Sequence, residues 1–462
     1  MKEIVESYFK QRSLVNHQLA SYDDCIPVGD GKQSRMENIV RNIRIGTDDQ
    51  IDDDEGGLVK LDLLDKEIIV WLKNLRLGRP LIKEANGAEH PATPLECRLR
   101  KLTYFSPVYL DFKIYRDDLP PSPGSEMGFQ EETSVHIGNL PIMVRSGRCN
   151  LNHNHIDENR RLSPETSSED SDRYKRLLRK SGEDPLDPGG YFIINGTERV
   201  LISMEDLAPN RVTVEKNKKY AHETQVAKIF SQKDGVRKPL NVEKRRDGML
   251  MVKIPSAGTT PVPLVLLMRS LGIENDREIF ASIAGPPEAM KFTVANLNDL
   301  RDNEEYGVDT SEEALAWLEK KFAAGQQKEY RESRIQNLLD NELLPHLGST
   351  IENREKKAIF LGRIARQVLE MAIKDKDPND KDHYANKRVR LAGDLVEDLF
   401  MVSLQQLARD LKYQLERHHN RMRELRISSC LRPDVLTTKI MQTTIDKTMT
   451  ELPTKFHPIP LM

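Results

Sequence analysis

The hydrophobic pattern of this chain changes its period along the sequence, and that change limits the folds open to it. Val108, Leu110, Phe112 and Ile114 alternate with polar and aromatic residues, which is typical of a half-buried strand within residues 97–116, where we expect a strand pair. Later residues follow helical spacing in two stripes: Leu361, Ile364, Ala365, Val368, Leu369, Ala372 and Ile373, then Leu395, Leu399, Leu407, Leu411 and Leu415. Strands and helices in separate stretches predict an α+β protein, and 462 residues predict two to four domains.

The middle of the chain has a different texture from its flanks. From about residue 213, short strands at 224–230 and 249–254 are separated by Asp-Gly turns. Helical patterns follow at 264–271, 276–283 and 311–322. We interpret 213–349 as an inserted domain.

Charge is balanced overall but unevenly distributed. The chain has 70 Lys and Arg against 73 Asp and Glu, which argues against a free-standing, uniformly basic DNA-binding protein. Residues 409–432, however, hold seven basic against three acidic residues, and 47–55 hold six acidic residues. A local basic face on a nearly neutral chain suits a protein that offers one surface to nucleic acid and others to protein partners.

The cysteines and apolar runs exclude several classes. Cys25, Cys97, Cys149 and Cys430 lie far apart with no CxxC pair, so neither a zinc ribbon nor a disulfide framework is indicated. No stretch approaches the roughly 18 apolar residues of a membrane span. We therefore expect a soluble, cytoplasmic protein with no membrane contact.

Residues 189–200 read GGYFIINGTERV and predict a β-hairpin. A buried strand is followed by Asn195-Gly196, a strong turn signal, and by a returning strand that carries Arg199. Taken alone, this pattern fits a hairpin in any protein.

Residues 380–393 read DKDHYANKRVRLAG and place three cations together before a predicted long helix. Lys387, Arg388 and Arg390 would lie at the start of that helix, where backbone N–H groups also favour phosphate. Asp380 and Asp382 could orient these cations. In isolation, a solvated charged loop is the more ordinary interpretation.

A third string, IGNLPIMVRS at 137–146 with Cys149-Asn150-Leu151 after it, completes the set. Together the three strings resemble, in order, motifs of the second-largest subunit of archaeal-type multisubunit RNA polymerases, in its N-terminal part. Weaker agreement lies at 16–24, 98–109 and 432–437, so the resemblance covers most of 1–212 and 350–440. It stops after Met441, where a glycine-rich continuation is expected but residues 443–462 show none.

The resemblance implies a multidomain architecture. Residues 1–212 would form the first part of a mixed α/β protrusion, 213–349 an inserted lobe, and 350–410 the second part of the protrusion. Residues 411–462 would be a partial fork region with a helical start.

The resemblance also implies a subunit of DNA-directed RNA polymerase, a nucleotidyltransferase whose main catalytic carboxylates lie on the largest subunit. We expect no complete active site and no cofactor here, with Mg²⁺ at the active centre of the whole enzyme and Zn²⁺ elsewhere on it. Partners would be the C-terminal half of the second-largest subunit, the largest subunit, the DNA template and the RNA–DNA hybrid. Lys387, Arg388 and Arg390, followed by Arg199, are the predicted nucleic-acid-binding residues.

Two alternative functions stay open at this point. One is a stand-alone nucleic-acid-binding or assembly scaffold with a basic helical face, on which His418 and His419 would be exposed. The other is a metal-dependent hydrolase that uses His153, His155 and Asp157, or the acidic run 48–55 as a magnesium cage. A solvated acidic loop is the more ordinary interpretation of that run, since Mg²⁺ sites use one or two placed carboxylates.

Overall fold

The computed structural model describes most of the chain in two compact units. The described residues are 3–5, 7, 14–29, 32–45, 56–63, 66–116, 129–157, 161–162, 168–219, 222–233, 236–255, 258, 260–283, 285–302, 307–323, 325, 328–374, 377–421, 426–447 and 449–451. The first unit draws on 1–204 and 389–462, and the second on 205–388. The predicted acidic loop at 48–55 lies outside the described residues.

The first part of the first unit is built on a five-stranded sheet. Its elements are α1 (Asn16–Cys25), α2 (Arg35–Asn42), β1 (Arg44–Ile45), β2 (Gly57–Leu63), β3 (Lys66–Leu77), β4 (Leu81–Lys83), β5 (Glu89–Pro91), α3 (Pro94–Leu99), β6 (Phe105–Arg116), β7 (Phe129–Pro141), α4 (Ser168–Lys180), β8 (Phe192–Ile194) and β9 (Thr197–Leu201). The sheet order is β1-β2-β3-β6-β7, with β1 parallel to β2 and the other pairs antiparallel. In β6 the alternating apolar side chains are buried, as the pattern predicted.

The expected strand pair within 97–116 is wrong in one respect. Residues up to Leu99 belong to α3, and only β6 is a strand. The reason is a helix start that the alternation hid: the Thr93 hydroxyl accepts a hydrogen bond from the Glu96 amide, and Pro94 occupies the first turn.

The second unit combines an antiparallel sheet with a group of helices. Its elements are β10 (Met204–Leu207), β11 (Thr213–Lys219), β12 (His222–Lys233), β13 (Val236–Lys244), β14 (Leu250–Lys253), β15 (Val262–Pro263), α5 (Leu264–Ser270), α6 (Asp276–Ile283), α7 (Pro287–Asp302), α8 (Ser311–Phe322), α9 (Lys328–Asn337), α10 (Arg354–Lys374) and β16 (Lys387–Arg390), with β10 and β16 crossing the unit boundary. Strands β11 to β15 form the sheet in sequence order.

Helix α10 packs in the core of this second unit. Its stripe, including Leu361, Ile364 and Leu369, is buried against β12 and β13. The sequence-based division placed this helix in 350–410, with the protrusion, whereas the compact unit that includes 213–349 also includes α10. Helical periodicity marks the apolar face of a helix but does not name the core against which that face packs.

The chain returns to the first unit with α11 (Ala392–Asn420), α12 (Ile427–Cys430), α13 (Pro433–Lys447) and β17 (Met449–Glu451). Helix α11 buries Phe400, Leu404 and Leu411 in the same core as the five-stranded sheet. The prediction of a multidomain α+β protein is confirmed. Along the described part of the chain, no helix is both long and apolar enough to cross a bilayer.

Candidate nucleic-acid interface

The predicted hairpin at residues 189–200 forms as β8 and β9. Asn195 and Gly196 both have positive φ, 52° and 80°, which is the backbone of a two-residue hairpin turn. A Cβ atom on Gly196 would lie 2.7 Å from the Cα atom of Lys101, so glycine is required there for space as well as for φ. The apolar strand Phe192–Ile194 is fully buried.

An ion-pair network ties this hairpin to α3. The Arg98 guanidinium donates to Glu198 at 2.7 Å, to both oxygens of Glu183 at 3.0 Å and to the Tyr191 hydroxyl at 2.7 Å. Tyr191 in turn donates to Asp187 at 2.5 Å. Burial acts to lower the pKa of Arg98, but Tyr191 and the two glutamates outweigh it and the net shift is upward. Two strings that carry the resemblance, 98–109 and 189–200, are therefore held together by one half-buried cation.

Arg199 follows Glu198 on β9 and is half-buried. Strand β9 is the central strand of a three-stranded sheet, between β8 and β17. Arg199 pairs in register with Phe192 on one side and Glu451 on the other. The hairpin therefore presents Arg199 from the middle of a small sheet rather than from an open tip.

Lys387 and Arg388 lie in the second unit, at the start of β16. The Lys387 ammonium is 3.0 Å from Glu205 and 3.9 Å from Asp382, and the hydrogen bond to Glu205 raises the pKa of Lys387. Arg388 is exposed and donates to the carbonyl groups of Ala385 and Lys387, at 3.3 and 2.7 Å. Within the described residues, Arg388 makes no ion pair.

Arg390 belongs to the first unit and is engaged differently. Its guanidinium pairs with Asp398 on α11 and donates to the Asp394 carbonyl at 3.4 Å. The side chain is 23% exposed. Of the three predicted cations, Arg390 is thus the one whose charge is already balanced by a carboxylate on the next helix.

The backbone N–H groups at the start of the long helix, which we expected to favour phosphate, donate to protein acceptors instead. The Leu391 N–H donates to Asp394 at 2.9 Å, that of Ala392 to Gln18 at 2.8 Å and that of Gly393 to Ser21 at 3.2 Å. The three predicted cations lie in β16, before the helix begins at Ala392. Sequence spacing placed the cations beside the helix correctly but could not show that α1 caps it.

Among the described residues, those of the hydrolase alternative form no metal-binding group. The His155 ring lies 3.0 Å from the Gly147 carbonyl, with its pKa lowered by burial, and Asp157 pairs with Arg173. His418 and His419, predicted to be exposed, are half-buried.

A group that sequence reasoning missed consists of Glu84, His90 and Glu96, whose ligand atoms lie within 4.8 Å of one another. Arg100 already binds both glutamates, at 2.5 and 2.8 Å, and this guanidinium supplies the positive charge of the cluster. All four cysteines are buried and free.

Comparison with known proteins identifies the family. The family model described as RNA polymerase beta subunit matches residues 13–438. The chain belongs to this family.

Relatives narrow the assignment to the archaeal branch. The chain is 39% identical over 440 residues to DNA-directed RNA polymerase subunit Rpo2N of Methanocaldococcus jannaschii, across 95% of this chain and 79% of that protein. It is 39% identical over 447 residues to Rpo2N of Halobacterium salinarum, across 95% and 76%. Subunit Rpo2 of Saccharolobus solfataricus is 35% identical over 437 residues, across 95% of this chain but 34% of that longer protein. The chain is thus an archaeal-type RNA polymerase subunit that corresponds to the N-terminal part of the second-largest subunit, a component of a nucleotidyltransferase.

Proposed function

We propose that this polymerase subunit forms one flank of the cleft that holds the DNA and the RNA–DNA hybrid, and that its cations contact the phosphate backbone. The observation that carries the proposal is Arg388. Its guanidinium is exposed, is oriented by two backbone carbonyls and has no carboxylate partner among the described residues. A phosphate would supply the missing negative charge through charge-assisted hydrogen bonds. Such contacts position nucleic acid without reading its sequence.

The other predicted cations have different roles in this proposal. Lys387 can exchange its surface glutamate, Glu205, for a phosphate, because ion pairs at an exposed surface contribute little free energy. Arg390, balanced by Asp398, orients the start of α11. Arg199 would contact nucleic acid from the β9 strand.

The proposal extends to the parts of the polymerase. Residues 1–212 with 350–410 would correspond to the protrusion, 213–349 to the lobe and 411–462 to the start of the fork. The chain would assemble with the largest subunit and with the C-terminal half of the second-largest subunit. Nucleotide addition is assigned to residues of the largest subunit, and Mg²⁺ and Zn²⁺ to other parts of the enzyme.

The test is the salt dependence of nucleic-acid binding by reconstituted polymerase that contains Arg388→Ala. Each lost phosphate contact on a duplex should reduce the slope of log affinity against log salt by about 0.9. Arg388→Lys keeps the charge and should retain most of the slope. Arg179→Ala removes an exposed arginine from α4 and serves as the matched control. An Arg388→Ala enzyme with an unchanged slope and an unchanged complex lifetime would rule out the contact.

A further inference from the structure

The second half of α11 presents a solvent face on which an aromatic residue lies between two arginines. Arg409, Tyr413 and Arg417 are all exposed, and the Tyr413 side chain is 58% exposed. They are spaced four residues apart, so each is one turn from the next on the same side of the helix. The two arginines are eight residues apart, or about 12 Å along the axis.

Packing fixes this face in place. The opposite side of the helix buries Leu404, Leu407, Leu411 and Leu415 in the core of the first unit. The helix cannot rotate to cover Tyr413 without exposing these leucines. The exposed face, which we call the Arg–Tyr–Arg face (Arg409, Tyr413 and Arg417), is therefore a permanent surface of the unit.

The cations of this face lack carboxylate partners in the described structure. Arg409, Lys412 and Arg417 make no ion pair with any described residue, whereas the neighbouring Asp410 is bound by Arg432, with one N–O distance of 2.8 Å. Glu416 is the remaining acid on this half of the helix. Toward the start of α11, by contrast, Asp394 and Glu397 are bound by Arg35 and Asp398 by Arg390. Negative charge on the helix is thus mostly neutralised within the unit, and the positive charge of the Arg–Tyr–Arg face is left for a partner.

We infer that the Arg–Tyr–Arg face binds a single-stranded segment of nucleic acid, with a base stacked on Tyr413 and phosphates held by Arg409 and Arg417. Duplex DNA would satisfy the arginines but not the ring, since paired bases keep their faces inside the stack. Aromatic stacking accepts any base, and flanking arginines follow the backbone on either side. This inference rests on the proposed function and adds to it a second contact, outside the β16 cations.

The first test places the photoreactive amino acid p-benzoylphenylalanine at position 413 of this chain in reconstituted polymerase, with labelled template strand, non-template strand and RNA. We expect a crosslink to an unpaired stretch of one of these strands. A crosslink to another polypeptide alone, or to duplex DNA alone, would overturn the inference. Position 330 carries the same probe as a control, because Tyr330 is 68% exposed on a different helix.

The second test separates stacking from charge in the same reconstituted enzyme. Tyr413→Leu should weaken retention of a single-stranded oligonucleotide about tenfold, whereas Tyr413→Phe should stay within about twofold, because only the ring face is needed. The double variant Arg409→Ala/Arg417→Ala should reduce the salt slope, which is about 0.7 per phosphate for single strands. Equal effects of the Leu and Phe variants would refute the stacking contact, and an unchanged salt slope would refute the phosphate contacts.

One comparison distinguishes this inference from the proposed function. If the Arg–Tyr–Arg variants leave retention unchanged while Lys387→Ala/Arg388→Ala weakens it, the inference fails and the proposed function stands. If neither set changes nucleic-acid binding, both fail. Thermal unfolding of each variant should stay close to that of the parent, since all three side chains are exposed and the two arginines make no ion pair with a described residue.

Discussion

The hairpin string at 189–200 and the cation string at 380–393 both identify the family, yet the structure handles their charges in opposite ways. In the hairpin string, Glu198 is 15% exposed and is neutralised by Arg98, itself 20% exposed. In the cation string, Arg388 is exposed, and among the described residues its guanidinium meets only backbone carbonyls. Largely shielded, paired charges fix how elements meet, whereas exposed charges without a described carboxylate partner are available to a ligand. A family motif can therefore mark a fold requirement in one place and a binding surface in another.

Removing the half-buried Arg98 guanidinium should produce the largest effect on stability. Arg98→Ala leaves the buried Glu183 and the half-buried Glu198 without their shared partner, and we expect a loss of about 3 kcal/mol in the free energy of unfolding. Denaturant unfolding followed by circular dichroism measures this loss. The exposed-arginine control, Arg179→Ala, should change the same quantity by less than about 0.5 kcal/mol. Comparable losses in the two variants would contradict the structural part assigned to Arg98.

A buried lysine in the second unit extends the comparison to a charge that is buried without a bound carboxylate among the described residues. Its ammonium group is held by carbonyl groups instead. Lys357 is fully buried and donates to the carbonyls of Leu339 and Asp340, at 2.8 and 2.6 Å. Burial lowers its pKa to about 8, with Asp340 partly opposing the shift.

Between pH 8 and the ordinary lysine pKa of 10.5, the unfolded chain keeps a proton that the folded unit has lost. The free energy of unfolding should therefore rise with pH through this window, by about 2 kcal/mol, and should fall as the pH returns to 8. Lys357→Met should remove this rise. Trp317 lies in the same unit, so its fluorescence in a Trp71→Phe background reports the unfolding. A parent protein whose stability does not change over this window, relative to Lys357→Met, would contradict the prediction.

The hairpin turn offers a matched pair of glycines for the next test. Gly196 and Gly87 have nearly the same φ, 80° and 82°, but a Cβ atom at Gly196 would lie 2.7 Å from Lys101 while one at Gly87 would meet nothing within 4 Å. Gly87→Ala should cost about 1 kcal/mol from backbone strain alone. Gly196→Ala should cost about 1 to 2 kcal/mol more, measured by the same denaturant unfolding. Equal losses would mean that the close approach to Lys101 relaxes without cost.

Sequence alone predicted the parts of this molecule that depend on local chemistry. Asn195-Gly196 predicted its turn because few residues accept two successive positive φ angles, and α6 and α8 begin and end where their patterns predicted. Contacts between segments far apart in the chain could not be predicted from the sequence. Gln18 and Ser21 cap α11 from more than 370 residues away, and no local signal reports that pairing.

The candidate site was predictable to a similar extent. The cation string could be located from its residues, and the family resemblance gave it a function. The sequence did not show which of its cations pairs with a carboxylate. The partner of Arg390 is Asp398, about two turns into α11, and its position relative to Arg390 depends on the residue at which that helix begins. The apolar stripe of α11 was readable from its spacing, and the burial of Leu407, Leu411 and Leu415 confirms it. Which charges on the exposed face are paired was not readable, because Arg432 binds Asp410 from a later segment of the chain.

Arg388 and Arg390 lie two residues apart. Their substitution should give the smallest changes in stability, but it tests the comparison most directly. Arg390→Ala removes a partly exposed ion pair with Asp398, so we expect the free energy of unfolding to fall by about 0.5 to 1 kcal/mol. Arg388→Ala removes no carboxylate contact with a described residue and should leave the free energy of unfolding within about 0.3 kcal/mol of the parent. Nucleic-acid binding by the reconstituted polymerase should show the reverse order, with a reduced salt slope for Arg388→Ala and a parent-like slope for Arg390→Ala. Both residues belong to β16, so a substitution that distorted the strand would change both stability and nucleic-acid binding in both variants. The opposite result, in which Arg390→Ala changes the salt slope and Arg388→Ala changes stability, would show that pairing in the structure does not decide which arginine meets the phosphate.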